Sequence, residues 1–213
     1  MKRLLGLVVA VLAGSISNAE ATTINFEDIA QAHGTETVVT APTPVISDGF
    51  RFDAATHAHV SNATWLTDNG STYLVVDEFF GPDPVTMSQV GSAPFALSSI
   101  DISEAHPEAV FSARQIQVTG NLFNGGTIST TLNLDNNLVD GVPANYFQTF
   151  TFGAGWDALS SVVFNGTNAV IGFGNYYAMD NIVVGPAASV PEPGTLTLIA
   201  LGSAYMVRRR RRR

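Results

Sequence analysis

The chain has 213 residues, of which 46% are hydrophobic and only 13% are charged. This length accommodates one ordinary domain together with processing segments. Cysteine is absent, which excludes disulfide scaffolds, thiolate metal sites and cysteine nucleophiles. The formal charge is −8, and residues 22–190 contain sixteen acidic residues against two arginines and no lysine. A body this acidic repels a polyanionic backbone, so we expect no binding to nucleic acid, and divalent cations are its natural counterions.

The N-terminus has the layout of a secretory signal peptide. Two basic residues follow Met1, an apolar run covers residues 4–16, and Ser17-Asn18-Ala19 has the small residues of a cleavage site. Cleavage after Ala19 or after Ala21 fits this pattern. An ordinary buried N-terminal helix is the alternative, but such a helix rarely begins with two cations. We therefore assign residues 1–21 to a signal helix and expect the protein to be exported.

Residues 22–184 lack helical periodicity and contain short runs rich in β-branched and aromatic residues, separated by turn formers. The predicted strands are 22–27, 36–41, 48–53, 72–77, 95–102, 110–120, 126–134, 146–152, 159–165 and 177–184. In several runs polar and apolar residues alternate, for example Ile116 and Val118 against Gln115 and Gln117. One buried and one solvated face is typical of antiparallel sheets. We predict an all-β, jelly-roll-like sandwich of two antiparallel sheets as a single domain.

The clearest local prediction within this domain is a β-hairpin over residues 110–134. The segment Asn124-Gly125-Gly126 supplies its turn, because glycine and asparagine tolerate the backbone angles that tight turns require. Residues 185–189 are small or turn-forming and predict a short linker after the last strand.

Residues 190–213 form a tail with three parts. Pro191-Glu192-Pro193 comes first, an apolar run over residues 195–207 follows, and Arg208–Arg213 end the chain. As a helix the apolar run spans about 20 Å, less than the ~30 Å hydrocarbon core, although flanking arginines can snorkel. The arginines are expected to stay on the cytoplasmic side. This arrangement closely resembles the PEP-CTERM sorting signal of Gram-negative bacteria.

The resemblance implies a route for the protein. It implies export across the inner membrane and transient retention there by a short hydrophobic C-terminal helix. It also implies cleavage by exosortase near Pro191, Glu192 and Pro193, followed by delivery to the envelope, the cell surface or the extracellular matrix. The alternative is a simple membrane anchor that is never cut.

Asp180 is the sharpest chemical anomaly in the body, because it interrupts the apolar run 176–184. In a regular strand it shares its face with Ile182 and Val184, so its carboxylate is expected to be buried. A buried carboxylate needs a partner, and basic residues are scarce here. A calcium ion would satisfy it, since Ca²⁺ takes six to eight oxygen ligands. The alternative is a hydrogen bond to a neighbouring loop, or a position at a bulge.

The body also resembles exported β-sandwich domains that are related in pattern to carbohydrate-binding jelly rolls. The matching segments are residues 24–28, 95–102, 147–152, 159–164 and 179–184. In such jelly rolls an acid of the first strand and an Asp of the last strand share a structural calcium ion. The resemblance therefore implies Glu27 and Asp180 as metal ligands, with backbone carbonyls completing the shell.

His57 and His59 would place two imidazoles on one face of a strand, as a pair of zinc or copper ligands does. The sequence indicates no third ligand, and the segment equally fits a partly exposed strand or loop.

Trp65 and Trp156 are the candidate sugar contacts, because an exposed indole in a loop or at a strand edge can stack on a sugar ring. Core packing is the alternative for each of them. The chain has no nucleophile elbow, no His-Glu-x-x-His and no phosphate loop. We predict a non-catalytic surface or matrix protein that interacts with exopolysaccharide or other surface glycans. The alternatives are a structural surface or biofilm protein without a discrete ligand, and a secreted glycan-cleaving enzyme.

Overall fold

The computed structural model describes residues 20–65, 67–77, 83–108, 110–135, 145–168 and 175–187. The strands in these ranges are β1 (Thr22–Ile24), β2 (Thr35–Thr40), β3 (Val45–Ser47), β4 (Phe50–Ala54), β5 (His57–Asn62), β6 (Tyr73–Val76), β7 (Val85–Gln89), β8 (Phe95–Glu104), β9 (Gln115–Leu122), β10 (Thr127–Asn133), β11 (Gln148–Thr151), β12 (Leu159–Thr167) and β13 (Tyr177–Pro186). A 3-10 turn, Glu27–Ile29, follows β1. Within the same ranges no helix has the length and hydropathy needed to cross a bilayer.

The strands form two sheets, and the strands within each sheet pair in antiparallel fashion. The first sheet has the order β2-β5-β6-β13-β8-β11, with β1 beside the C-terminal half of β13. The second has the order β10-β9-β12-β7-β4-β3. One pair, Leu159 opposite Phe95, joins β12 to β8 and so connects the two sheets. The predicted all-β sandwich of two antiparallel sheets is therefore confirmed.

The main core lies between the two sheets and consists of aliphatic and aromatic side chains. Met87 and Phe164 of the second sheet are fully buried, as are Ile100 and Ile102 of the first. Each such side chain contributes about 1.5–3 kcal/mol of transfer free energy relative to an exposed position. This burial is the main force that holds the two sheets together.

A smaller hydrophobic cluster lies on the other face of the first sheet, which we call the outer cluster. Its fully buried members are Tyr73, Val75, Ala105 and Ala178. Trp65, Phe147 and Tyr176 are partly buried and pack against it. Because these three residues cover the sheet, all four residues of β6 are buried instead of alternating. The prediction of one solvated face is therefore wrong for this part of the sheet.

Ten strands were predicted, and three others were not among them: Val45–Ser47, Val85–Gln89 and His57–Asn62, the last of which begins in a segment left open as a strand or a loop. Each is three to six residues long and mixes polar with apolar residues, so no run stands out in the sequence. The predicted hairpin is confirmed as β9 and β10, with Thr127 opposite Asn121. Its first strand begins at Gln115, not at residue 110, because residues 110–113 form a turn and an isolated bridge.

The limits of the sandwich lie near the predicted ones. The first strand begins at Thr22, and the last ends at Pro186, two residues inside the predicted linker. The predicted signal helix and the C-terminal apolar helix fall outside the described residues, apart from residues 20 and 21, which are exposed. The division of the chain into a signal peptide, a linker and a sorting tail therefore stays a prediction.

Candidate functional site

Asp180 is fully buried, but on a different face from the one predicted. The pairing of β13 with β8 shifts by one residue between Asp180 and Val183, and Asn181 adopts a positive φ of 46°. This bulge reverses the alternation, so that Met179 and Ile182 both belong to the main core. The expectation that Asp180 shares its face with Ile182 is therefore wrong. The carboxylate is nevertheless 0% exposed, because the segment 69–72 covers it.

Three uncharged groups donate hydrogen bonds to the Asp180 carboxylate. Asn69 Nδ2 and Ser71 Oγ donate to Oδ2 at 2.7 and 2.9 Å, and the backbone N–H of Asn181 donates to Oδ1 at 2.7 Å. Burial nevertheless raises the pKa of Asp180 to about 6, because the loss of hydration outweighs these donors. The nearby charge of Asp101 acts in the same direction as burial.

Glu27 lies in the exposed 3-10 turn after β1 and binds the same segment as Asp180. Its Oε1 accepts a hydrogen bond of 2.7 Å from the backbone N–H of Thr72. The two predicted calcium ligands are therefore linked to residues 69–72 from two sides. The bulge and the loop contacts, which were the alternative interpretation of Asp180, are both present, and they satisfy the carboxylate without a cation. Calcium binding by Glu27 and Asp180 stays a prediction.

Trp156 belongs to the main core. It is only 5% exposed, its ring centroid lies 4.7 Å from that of Phe152, and its ring packs over Gly120 of β9. A Cβ atom at Gly120 would lie 3.0 Å from the indole, which shows how closely the ring approaches the strand. An indole enclosed in this way offers no free face to a sugar. Its predicted role in sugar stacking is therefore corrected to core packing.

Trp65 is half-buried and covers the outer cluster. Its ring centroid lies 5.3 Å from that of His59 and 5.7 Å from that of Tyr176. Its Nε1 donates a 2.8 Å hydrogen bond to Glu36 Oε2, which fixes the orientation of the indole. Trp65 thus combines a structural role with partial exposure, and its contact with a sugar stays a prediction.

Beside Trp65, two histidines and a carboxylate converge on the same face of the first sheet. His59 is paired with Val75 of β6, and continuing that antiparallel register by two residues places Asp77 opposite His57. Asp77 Oδ1 lies 2.7 Å from His57 Nε2, and Asp77 Oδ2 lies 3.0 Å from His59 Nε2. The three side chains each offer a ligand atom, and these atoms lie within 4.8 Å of one another.

A second carboxylate lies on the other side of the His59 ring. Glu36 Oε2 lies 3.3 Å from His59 Nδ1 and also accepts a 2.9 Å hydrogen bond from Thr64 Oγ1. Burial acts to lower the pKa of His59, but the carboxylates of Asp77 and Glu36 outweigh it and raise that pKa above its ordinary value. Within the described residues, neither ring nitrogen of His59 has a hydrogen bond of acceptable geometry.

The sequence pointed to the two histidines but not to the carboxylates beside them. His57-x-His59 is visible as a pattern, whereas Asp77 follows much later in the chain, beyond an irregular segment. Only the register of β5 against β6 reveals that Asp77 belongs with the histidines. Glu36 is on β2, the other neighbour of β5, where it pairs with Ser61.

Residues 189–212 match the family described as the PEP-CTERM protein-sorting motif. The chain carries a PEP-CTERM sorting motif. This motif implies export, processing by exosortase and association with the cell surface or envelope. The predicted processing residues Pro191, Glu192 and Pro193 fall within the match and outside the described residues.

Among curated proteins, none matches the chain in sequence. Several solved structures are similar in layout. A family 32 carbohydrate-binding module of Clostridium perfringens NanJ, solved with galactose, is 13% identical with a TM-score of 0.40, over 68% of this chain and 100% of that one. A second module from that organism, CpGH89CBM32-5, solved with GalNAc-β-1,3-galactose, is 12% identical with a TM-score of 0.40, over 63% and 94%. The K1 cleaved adhesin domain of Lys-gingipain from Porphyromonas gingivalis is 11% identical with a TM-score of 0.41, over 79% and 99%.

Proposed function

We propose that this protein is exported, cut by exosortase at its C-terminal motif and displayed on the cell surface or in the surrounding matrix, where its β-sandwich binds a glycan without catalysis. The observation that carries the proposal is the match of residues 189–212 to the sorting motif. The apolar run at the N-terminus supports export, and the Gram-negative inner membrane is the barrier that such a chain crosses.

Trp65 supports the glycan part of the proposal. Sugar rings bind to aromatic faces that are held rigidly and bordered by polar groups. Trp65 is anchored through its N–H to Glu36 and through ring contacts to His59 and Tyr176. An indole fixed in this way loses little conformational entropy when a ligand binds. Its partial exposure leaves part of the ring for such a contact.

A structural surface protein without a discrete ligand is the second candidate. It is favoured by the packing of Trp65 on the outer cluster, since this contact stabilises the sheet whether or not a ligand binds.

The test is a glycan array probed with the full-length chain, its Trp65→Ala variant and its Phe123→Ala variant. Phe123 is a matched control because it is an exposed aromatic residue, at 53%, in the β9–β10 turn. We expect the wild type and the Phe123 variant to bind the same glycans and the Trp65 variant to lose that binding. Absence of binding by the wild type would favour the structural role. Glycan turnover that a single Asp or Glu substitution abolishes would require the enzyme interpretation.

A further inference from the structure

We propose that His57, His59 and Asp77 form a binding site for one divalent transition-metal ion of the zinc type, with Glu36 orienting His59. This site does not depend on the proposed glycan binding, and it is separate from the predicted calcium ligands Glu27 and Asp180.

The first argument is the donor set and its spacing. Zinc binds imidazole nitrogens and carboxylate oxygens at about 2.0–2.2 Å, so neighbouring ligand atoms in a tetrahedral site lie about 3.3 Å apart. The His57–Asp77 and His59–Asp77 distances are 2.7 and 3.0 Å. All three ligand atoms lie within 4.8 Å of one another, so side-chain shifts of about 1 Å bring the three groups around one ion.

The second argument is the geometry of the buried groups. His59 is only 7% exposed, yet within the described residues both its ring nitrogens and Asp77 Oδ1 have no hydrogen bond of acceptable geometry. Buried polar atoms are normally hydrogen-bonded. His59 Nε2 lies 3.0 Å from the Asp77 carboxylate without being aimed at it, as do ligands that converge on a third atom, whereas His59 Nδ1 faces Glu36.

The third argument is the support behind the ligands. Metal-binding histidines usually donate their other ring N–H to a carboxylate, which fixes the tautomer and the ring orientation. Glu36 is in this position, 3.3 Å from His59 Nδ1, and it is itself held by hydrogen bonds from Thr64 and Trp65. His59 would then bind the ion through Nε2, the nitrogen that faces Asp77.

Charge and access select the class of ion. Two neutral imidazoles with the carboxylates of Asp77 and Glu36 balance a charge of +2. Imidazole ligands favour zinc, copper, iron or nickel, whereas calcium and magnesium require a shell of oxygen atoms. The His57 side chain is 34% exposed, so an ion can enter from solvent, and water can take the fourth position.

The experiment is calorimetric titration of ZnCl₂ into the full-length chain, purified without a histidine tag and stripped with EDTA. We expect one Zn²⁺ per chain, with an affinity that falls in His57→Ala and in Asp77→Asn by more than the roughly 10- to 100-fold that loss of a supporting residue costs. His33→Ala is the matched control, because His33 also lies beside a carboxylate, Asp68 at 3.4 Å, but is exposed and lies in the turn before β2, outside the proposed ligand set. It is expected to bind like the wild type.

Two further measurements separate binding from folding. His57 is partly exposed, so its variant is expected to keep the circular-dichroism spectrum of the wild type. Co²⁺ added to the wild type is expected to give the visible absorption of a four-coordinate site.

The Glu36→Gln variant tests the supporting carboxylate. It is expected to bind the same number of Zn²⁺ ions with an affinity about 10- to 100-fold weaker. An unchanged affinity there would remove Glu36 from the site. A wild type that does not bind Zn²⁺, or binding that survives in both the His57 and Asp77 variants, would overturn the proposal.

Discussion

Replacing Asp180 with asparagine removes the fully buried carboxylate that the segment 69–72 covers. Burial raises the pKa of this group to about 6, against an ordinary value of 3.8. Between these two values the folded state binds more protons than the unfolded state. The stability that protonated Asp180 contributes is therefore complete below pH 3.8 and is lost as the pH rises through about 6.

The size of the effect follows from the same two values. The difference between the two pKa values, 3.8 and about 6, corresponds to about 3 kcal/mol of unfolding free energy. Most of this free energy is lost between about pH 4 and pH 7. An asparagine side chain in this place would not titrate. The asparagine amide, however, has an NH₂ group in place of one of the two carboxylate oxygens. This NH₂ group would face a hydrogen-bond donor, because Asn69, Ser71 and Asn181 all donate to Asp180. This adds a cost of about 1–3 kcal/mol that does not depend on pH.

The measurement is urea unfolding of the full-length wild type and Asp180→Asn at intervals from pH 4 to pH 7, in EDTA. Comparison of the two proteins cancels the titration of the other acidic groups. We expect the unfolding free energy of the wild type to fall by about 2–3 kcal/mol relative to that of the variant between pH 4 and pH 7. Asp157→Asn, at an exposed position, controls for the loss of one negative charge. Parallel pH profiles for wild type and Asp180→Asn would show that the Asp180 carboxylate is not buried as described.

Three further predictions concern packing, calcium and processing. Gly166→Ala is expected to lower the unfolding free energy by about 1–3 kcal/mol, because its Cβ would lie 2.8 Å from the backbone oxygen of Asn175 and 2.9 Å from Tyr177; Gly185→Ala, where nothing lies within 4 Å, should change little in the same urea titration. If Glu27 and Asp180 bind calcium, EDTA lowers the melting temperature of the wild type, Ca²⁺ restores it, and Asp180→Ala does not respond; a wild type insensitive to both additions removes the calcium prediction. Mass spectrometry of the surface form should show a chain that ends near Pro191–Pro193, and an intact Arg213 would contradict processing at the motif.

Local sequence patterns predicted the structure correctly where contacts between neighbouring residues determine it. The β9–β10 hairpin could be predicted because its turn lies in the Asn124-Gly125-Gly126 segment, and its glycines have positive φ angles of 90° and 87°. The alternation of polar and apolar residues predicted the wrong sheet face for Asp180, because a single extra residue in β13 places Asp180 and Ile182 on opposite faces. It also failed on β6, where Trp65 and its neighbours fold back over the outer face of the sheet. The sequence of β13 indicated the bulge only as one alternative for Asp180, and the sequence of β6 does not indicate its covered outer face.

The order of residues along the chain was enough to determine the all-β class, the acidic body and the sorting motif, since each depends on composition or on contiguous segments. The tertiary structure alone decided which side chains meet. Pairing of β5 with β6 brought Asp77 to the two histidines, and packing enclosed Trp156 while leaving Trp65 half-exposed. The physical reason is that strand register and sheet packing are set by contacts between segments far apart in the chain, which the spacing of residues does not specify.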